Sequence, residues 1–397
     1  MVEFVGLTAC MMALTALSLD AMLPTLPAIG AAFQVADPNH LQWVILVYLL
    51  GFAAGHPIHG PLSDHFGRRP VLLLGLAIYL ASTVAALLAG SFTALLLARL
   101  GQGLGAAAPR VIAIAILRDR FQGRAMSRVM SFVMMVFIVV PVIAPTIGAG
   151  LLQIAPWQAP FVLLMAFAVG LAVWVGLRLE ESLPSGSPRI PVLYAVRIVV
   201  TTRASLGYML AIGFVFGNLM TYISTAEQIF VTVYGLGAEF TLVFGAIALG
   251  LVAAAFSNAR IVERVGMRRV SHAALLGYVA LCLLAAALGF PEQPPLPVFA
   301  VVMAASFFCV GHILPNFNAL AMEPLGQVAG VGSALIGFYM TAAGAVFGGL
   351  IGRLFDGTVR PMEIGFTVLA VLALLTVLVT ERGKLFGTGE SAPAQVT

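Results

Sequence analysis

Four ionisable side chains stand inside stretches that otherwise hold almost only apolar residues: Asp20, Arg99, Arg110 and Glu227. Charge at membrane depth is costly and as a rule lines a functional path. Asp20 lies midway along the run from Phe4 to Phe33, which holds no other charge. A carboxylate there lacks the water that would solvate its charge, which suits it to loading and releasing a proton. The rival reading of Asp20, a fixed partner for an arginine, is weaker but stands. Arg99 and Arg110 are eleven residues apart, close to a whole number of helical turns. They therefore share a stripe with Gln102, Gly103 and Ala106, while Gly101 and Gly105 mark a second face suited to close packing. A guanidinium keeps its proton, so one of the two is expected to face Asp20 across a cavity and make proton release depend on geometry.

Glu227, in ISTAEQIF (Ile223–Phe230), admits three roles: a second proton site, a contact for a cationic substrate, or a loop-end residue wetted from outside. Asn218 and Tyr222, four residues apart, join Tyr48, Asn316 and Tyr339 as candidate lining of an adaptable apolar pocket among the many Met and Phe residues. His56, His59 and His312 fall in apolar spans, where hydrogen-bonded packing is favoured over a proton relay. Cys10, Cys282 and Cys309 are far apart and read as packing residues.

These side chains need elements that hold them in lipid. The chain is 61% hydrophobic and 9% charged, against roughly 25% charged in soluble domains. Its surroundings must therefore be a bilayer. Apolar runs at 5–33, 41–60, 70–89, 92–117, 128–152 and 158–179, then 205–234, 241–259, 270–289, 296–320, 325–352 and 363–381, predict twelve transmembrane helices in an all-α integral membrane protein. The first run has no basic region ahead of it and is read as a retained span. With both termini cytoplasmic, nearly every loop Arg falls inside, and only Arg353 and Arg360 fall outside. The basic residues thus report orientation, and no nucleic-acid partner is expected.

The polar stretch from Glu180 to Arg203, rich in Pro and Ser, divides two sets of six spans. The expected organisation is a six-helix bundle over 1–180, a cytoplasmic linker over 181–204, a second bundle over 205–382 and a polar cytoplasmic tail over 383–397. The halves repeat. GPLSDHFGRRPV (Gly60–Val71) and ARIVERVGMRRV (Ala259–Val270) align with Gly67 on Gly266, Asp64 on Glu263 and Arg69 on Arg268, an offset of 199 residues. Repeats of this kind build transporters whose site lies between the halves near the midplane.

On GPLSDHFGRR, with Gly60, Asp64, Gly67, Arg68 and Arg69 in register, on ARLGQGLGAA (Ala98–Ala107), on LDAMLPTLPAI (Leu19–Ile29) and on VYGLG (Val233–Gly237), the chain resembles the major facilitator superfamily. Within it, the similarity is to twelve-span drug:proton antiporters of the bicyclomycin/chloramphenicol-resistance branch. PVIAPTIGAG (Pro141–Gly150) is similar to the antiporter motif of span 5, with Ala144 and Ala149 where glycines are usual; Pro141, Pro145 and Gly148 are its expected packing residues. The resemblance implies the major facilitator fold of two pseudo-symmetric six-helix bundles, and a coupling role for Asp20 and Arg99; the role of Arg110 rests on its spacing alone. It also supports a cytoplasmic gate in which Asp64 caps a helix or pairs with Arg118 or Arg124. The function implied is proton-coupled multidrug efflux, conferring antibiotic resistance, by a monomer in the bacterial inner membrane. Its expected partners are a small amphipathic drug-like substrate, protons and the lipid bilayer.

A carrier of a sugar or amino-acid derivative on the same fold is the nearest rival, and a sensor or scaffold a more distant one. No GxxxxGK[ST] loop, Ser/His pair or metal-ligand cluster occurs at suitable spacing, so neither enzyme activity, nor a metal, nor a cofactor is expected.

Overall fold

A computed structural model describes residues 2–120, 140, 143–183, 192–237, 239–287 and 292–387. Among the described residues the chain is helical wherever it is regular. The first half holds α1 (Val2–Asp20), α2 (Leu26–Ala32), α3 (Trp43–Phe66), α4 (Arg68–Leu87), α5 (Phe92–Arg120), α6 (Ile143–Leu152) and α7 (Ala159–Arg178). The second holds α9 (Arg203–Glu227), α10 (Phe240–Val265), α11 (Met267–Ala287), α12 (Leu296–Met322), α13 (Ala329–Gly352) and α14 (Arg360–Thr380). Between them α8 (Val192–Thr201) occupies the expected linker, leaving Leu193 and Tyr194 exposed. Eleven helices among the described residues are long and apolar enough to cross a membrane, counting α1 and α2 as one span. Of the expected span 128–152, only residue 140 and the stretch carrying α6 fall within the described residues.

Apolar side chains cover the outside as well as the core. Val169 and Val173 on α7, Leu249 and Phe256 on α10, and Leu372 and Leu375 on α14 are exposed, as lipid contact requires and water would penalise. With no hydrophobic drive between helices in lipid, packing relies on small residues that let backbones approach. A Cβ added at Gly103 or Gly51 would overlap a carbonyl across the α3–α5 contact, at Tyr48 and Leu100 respectively. Gly105 meets the backbone of Tyr79 on α4 in the same way, as its spacing predicts.

Gly67 ends α3 at φ 99°, ψ 154° and Gly266 ends α10 at φ 88°, ψ 152°, a conformation nearly confined to glycine. The two aligned glycines make the same turn, so the repeat read from sequence is a repeat of backbone geometry.

Two spans are interrupted. α1 ends at Asp20, and the chain passes through a turn and a 3-10 segment (Leu23–Thr25) before α2 begins. α9 ends at Glu227 and continues as a π-helix, Gln228–Val233. The unbroken runs expected at 5–33 and 205–234 are corrected in this respect. Pro24 and Pro27 account for the first break, since neither donates a backbone hydrogen bond.

Candidate functional site: a cavity between the halves and its charged residues

Asp20 is buried at 2% exposure, on the last residue of α1. Its Oδ1 accepts no hydrogen bond from a described residue, and no ion pair among the described residues includes it. Neither Arg99 nor Arg110, one of which is expected from the sequence to face Asp20 across a cavity, makes an ion pair with it among the described residues. Arg99, wholly buried, turns its fork to backbone instead. Nε donates to Val44 O at 3.0 Å, Nη2 to Ser18 O at 3.1 Å and Nη1 to Gln102 Oε1. Its guanidinium lies 4.4 Å from the Tyr48 ring centroid, and Gln102 donates in turn to Thr83 Oγ1 at 2.9 Å. Arg99 thus joins α1, α3 and α4, and it holds the α1 turn that presents Asp20 two residues later. On the other side of that break, a Cβ at Gly148 would overlap the carbonyl of Ala21. Gly148 is the close-packing residue that the motif implied, and Pro145 is buried beside it on α6. Pro141 lies outside the described residues.

Arg110 goes elsewhere. It lines a cavity of about 140 Å³ between α3 and α5 of the first half and α12 and α13 of the second. His56, Gly60, Asp64 and Arg68 line it from the first half, and Asn318, Ser333, Gly337 and Met340 from the second. From Gly330 to Met340 the lining follows α13 for ten residues, roughly 15 Å and so about half the hydrocarbon thickness. Sharing a helical stripe did not place the two arginines in one environment, because α3 packs over Arg99 and leaves α5 beyond Pro109 facing the gap between the halves.

The cavity mouth carries the loop motif. Arg68 is 4% exposed; it binds Asp64 through Nη1, Asp119 through Nε at 3.0 Å and Ser63 Oγ at 2.8 Å. Glu181, after α7, accepts from the backbone N–H of Arg68 at 2.8 Å and of Arg69 at 3.1 Å. Burial alone would raise its carboxyl, but the N–H groups of Arg68, Leu183, Arg69 and Ser182 outweigh that and hold it below its ordinary value. Arg69 also donates to Gly176 O. Asp64 therefore pairs with Arg68 of its own motif; the side chain of Arg118, and Arg124 altogether, lie outside the described residues. The bonds of this cluster stay within the first half, binding the ends of α3, α4, α5 and α7, because the cavity separates it from α13. The second half repeats the device: Arg268 meets Glu323 at 3.1 Å and Glu381 at 3.4 Å. Asp119, Glu181, Glu323 and Glu381 were not singled out in the sequence, although each is an acid directly at the end of an apolar span.

The opposite end of the molecule is closed by amides. Gln42 Nε2 donates to Gln228 Oε1 and to Gly352 O at 3.1 Å. Gln228 donates to Asn39 Oδ1 at 2.7 Å, and Asn39 to Phe355 O at 3.2 Å. Arg353 lies 4.7 Å over the Trp43 ring. Every one of these contacts joins the first half to the second. Sequence reading passed over Gln42 and Gln228; the available signal was an amide within each of two apolar runs.

None of the six expected substrate residues lines the cavity. Tyr48 is the platform under Arg99, with its hydroxyl 3.4 Å from Thr15 O. Asn218 binds Tyr278 and Phe366 O. Tyr222 packs among Phe230, Phe244 and Phe307. Asn316 binds Asn258 and His312 O, while Tyr339 packs on Gly213. Glu227 is buried at the head of the π-helix, next to the amide closure. Polar residues within apolar helices meet packing partners more often than cavities, and spacing alone does not separate the two. His59 and His312 are likewise hydrogen-bonded within the bundle, to Leu104 O and to Ser257.

The profile of the Major Facilitator Superfamily matches residues 8–349, and the chain belongs to that family. It is 29% identical over 374 residues to a bicyclomycin resistance protein homolog of Haemophilus influenzae, covering 90% of both chains. It is 26% identical over 340 residues to multidrug resistance protein D of Escherichia coli, covering 84% of this chain and 85% of that one. An MFS-type transporter of Bacillus subtilis, YdgK, is 30% identical over 370 residues, with 90% of each covered. These relatives fit the drug:proton antiporter branch that the motifs resemble. In fold, the chain is similar to the human organic anion transporter MFSD10 (TM-score 0.71, 19% identity, 95% and 99% covered) and to a D-xylose–proton symporter (TM-score 0.76, 14% identity, 96% and 99% covered). Family and fold are those of multi-pass membrane transporters.

Proposed function

We propose that the protein is a proton-coupled exporter of small amphipathic drug-like compounds. It acts as a monomer in the bacterial cytoplasmic membrane, with both termini in the cytoplasm. The bodies that move are the bundles over 1–180 and 205–382, rocking about the cavity between them. The observation that carries this reading is Asp20: a buried carboxyl with no ion-pair partner among the described residues, at a break in its helix and held in place through Arg99. A proton on Asp20 removes a charge that no described residue pairs with, and its loss favours a rearrangement that supplies a partner. The cavity reaches the end that bears Asp64 and Arg68, while the amides of Gln42 and Gln228 close the other, so the geometry is that of one facing state. By the distribution of basic residues the open end is cytoplasmic. Relatives named for bicyclomycin and multidrug resistance support drugs as the cargo.

Reconstitution tests the reading. Vesicles loaded with a pH-sensitive dye and given a pH gradient should show proton movement opposite to a drug such as chloramphenicol, only when both are present. Drug movement indifferent to the gradient, or driven equally by sodium alone, would refute proton coupling.

A further inference from the structure

We infer that Glu227 is a second proton site, one that controls the amide closure between the halves: it carries a proton while Gln42 and Gln228 are bonded and gives it up when that end opens. The inference rests on the alternating-access reading above and adds a titrating residue to its closed end. Glu227 is the last residue of α9 and directly precedes Gln228. It is 9% exposed, and no described residue makes a hydrogen bond or an ion pair with it. The bonds beside it cross between the halves: Gln228 accepts from Gln42 and donates to Asn39 at 2.7 Å. That closure is incomplete, because Gln42 Oε1 is buried and receives no donor among the described residues. The 3-10 segment that follows Asp20 packs on α9. Each half thus breaks its α-helix at a buried acid, and the two broken spans touch.

An ionised carboxylate needs water or donors around it, and burial without them is costly. In the closed arrangement Glu227 has no donor, so closing favours its neutral form and opening, which admits water, favours its charge. The charged groups that the surrounding elements bring to this end are Arg353 after α13, Asp356, Arg360 and Glu363 at the start of α14, Glu239 before α10, and Asp37 and His40 ahead of α3. Arg353 lies over Trp43, Arg360 pairs with Glu292 at 3.4 Å, His40 pairs with Asp37 at 3.7 Å and Asp356 accepts from Thr358. None of them pairs with Glu227, so a proton is what neutralises it. The way out for that proton is short, since Val231 and Thr232 on the π-helix are exposed. By the distribution of basic residues this end faces the outside, and the proton exchanged there is an external one. Glu227 does not line the cavity, so its proton acts on the closure and not on the cargo. By linkage, a proton held more tightly in the closed state means that raising the pH opens this end.

Spin labels at Ala36 and Asp356, both exposed and on opposite halves at that end, read the closure in the full-length chain in nanodiscs, with no substrate and no gradient. As the pH is raised from about 6 to 9, the ratio of long to short distances should rise by up to about tenfold per pH unit where Glu227 titrates, one proton being linked to the change. Glu227→Gln, neutral at every pH, should lose most of this response and keep the short distance. Glu227→Asp, a carboxylate one methylene shorter, should restore the response, which a merely structural role would not do. Asp20→Asn should keep a response, because Glu227 is intact. An unchanged response in Glu227→Gln, a response abolished by Asp20→Asn alone, or no response in the parent overturns the inference. Each of those results leaves the export role of Asp20 to the pH-gradient assay. A pH-driven opening in a chain that exports nothing would keep this inference and remove the exporter reading.

Discussion

At the scale of single residues, Arg99 and Asp20 divide the labour that a salt bridge would have merged. Arg99 gives its donors to Val44 O, Ser18 O and Gln102, so Arg99→Ala strands buried acceptors on three helices and should cost about 3 kcal/mol in thermal unfolding. Arg99→Lys keeps the charge but loses the fork, and about 1–2 kcal/mol is expected. A variant of either kind with unchanged melting would mean that the hub is ornamental. The depth of both residues was legible in the sequence, because charge in an apolar run is conspicuous. Their partners were not, since eleven residues of spacing fixes a direction on one helix and says nothing of which neighbour covers it. The six expected substrate residues lie off the described cavity for the same reason: tyrosine and asparagine are as useful for joining helices as for lining a cavity.

At the scale of elements, small residues set how closely helices run, and each makes a steric prediction. Gly103→Leu drives a side chain into the Tyr48 carbonyl, and Gly148→Leu drives one into that of Ala21. Overpacking of this sort should cost about 2–3 kcal/mol, measured as loss of the folded peak in size-exclusion chromatography after mild heating. The Gly148 variant should also lose transport beyond its loss of stability, because it displaces the break that carries Asp20. Retention of full transport would show that the break tolerates movement. The Glu181 cap has a pH signature. Its carboxyl is held below its ordinary value, so the stability it contributes is complete above the unfolded pKa of about 4.3 and fades as pH falls through the lower folded value. Glu181→Gln should melt earlier than the parent at neutral pH, and the gap should narrow as pH falls through the lowered folded value. A gap that does not change on acidification would contradict the cap. Span number, the repeat and the glycine turns were all visible in composition and motif. The breaks at Asp20 and Glu227 were not read, because hydropathy is blind to whether an apolar run stays helical; Pro24 and Pro27 were the clue to the first.

At the scale of the molecule, the bonds of Gln42 and Gln228 close the end opposite the cavity, and in the proposed alternating access they are the bonds a gate would break. Replacing both by Ala removes bonds between the halves worth about 1 kcal/mol each, which should raise the population open at that end roughly tenfold or more. Spin labels at Ala36 and Asp356, both exposed and on opposite halves, should report a longer distance in the double variant. An unchanged distance distribution would mean that other contacts hold that end. This level was the least legible in sequence, since a gate made of neutral amides carries no charge pattern to betray it.

In the proposed mechanism the proton on Asp20 drives export, and Asp20→Asn fixes that site in an uncharged form. In proteoliposomes the variant should still exchange labelled substrate across the membrane at equilibrium while failing to concentrate it under a pH gradient. Gradient-driven accumulation at the parent rate would contradict the claim.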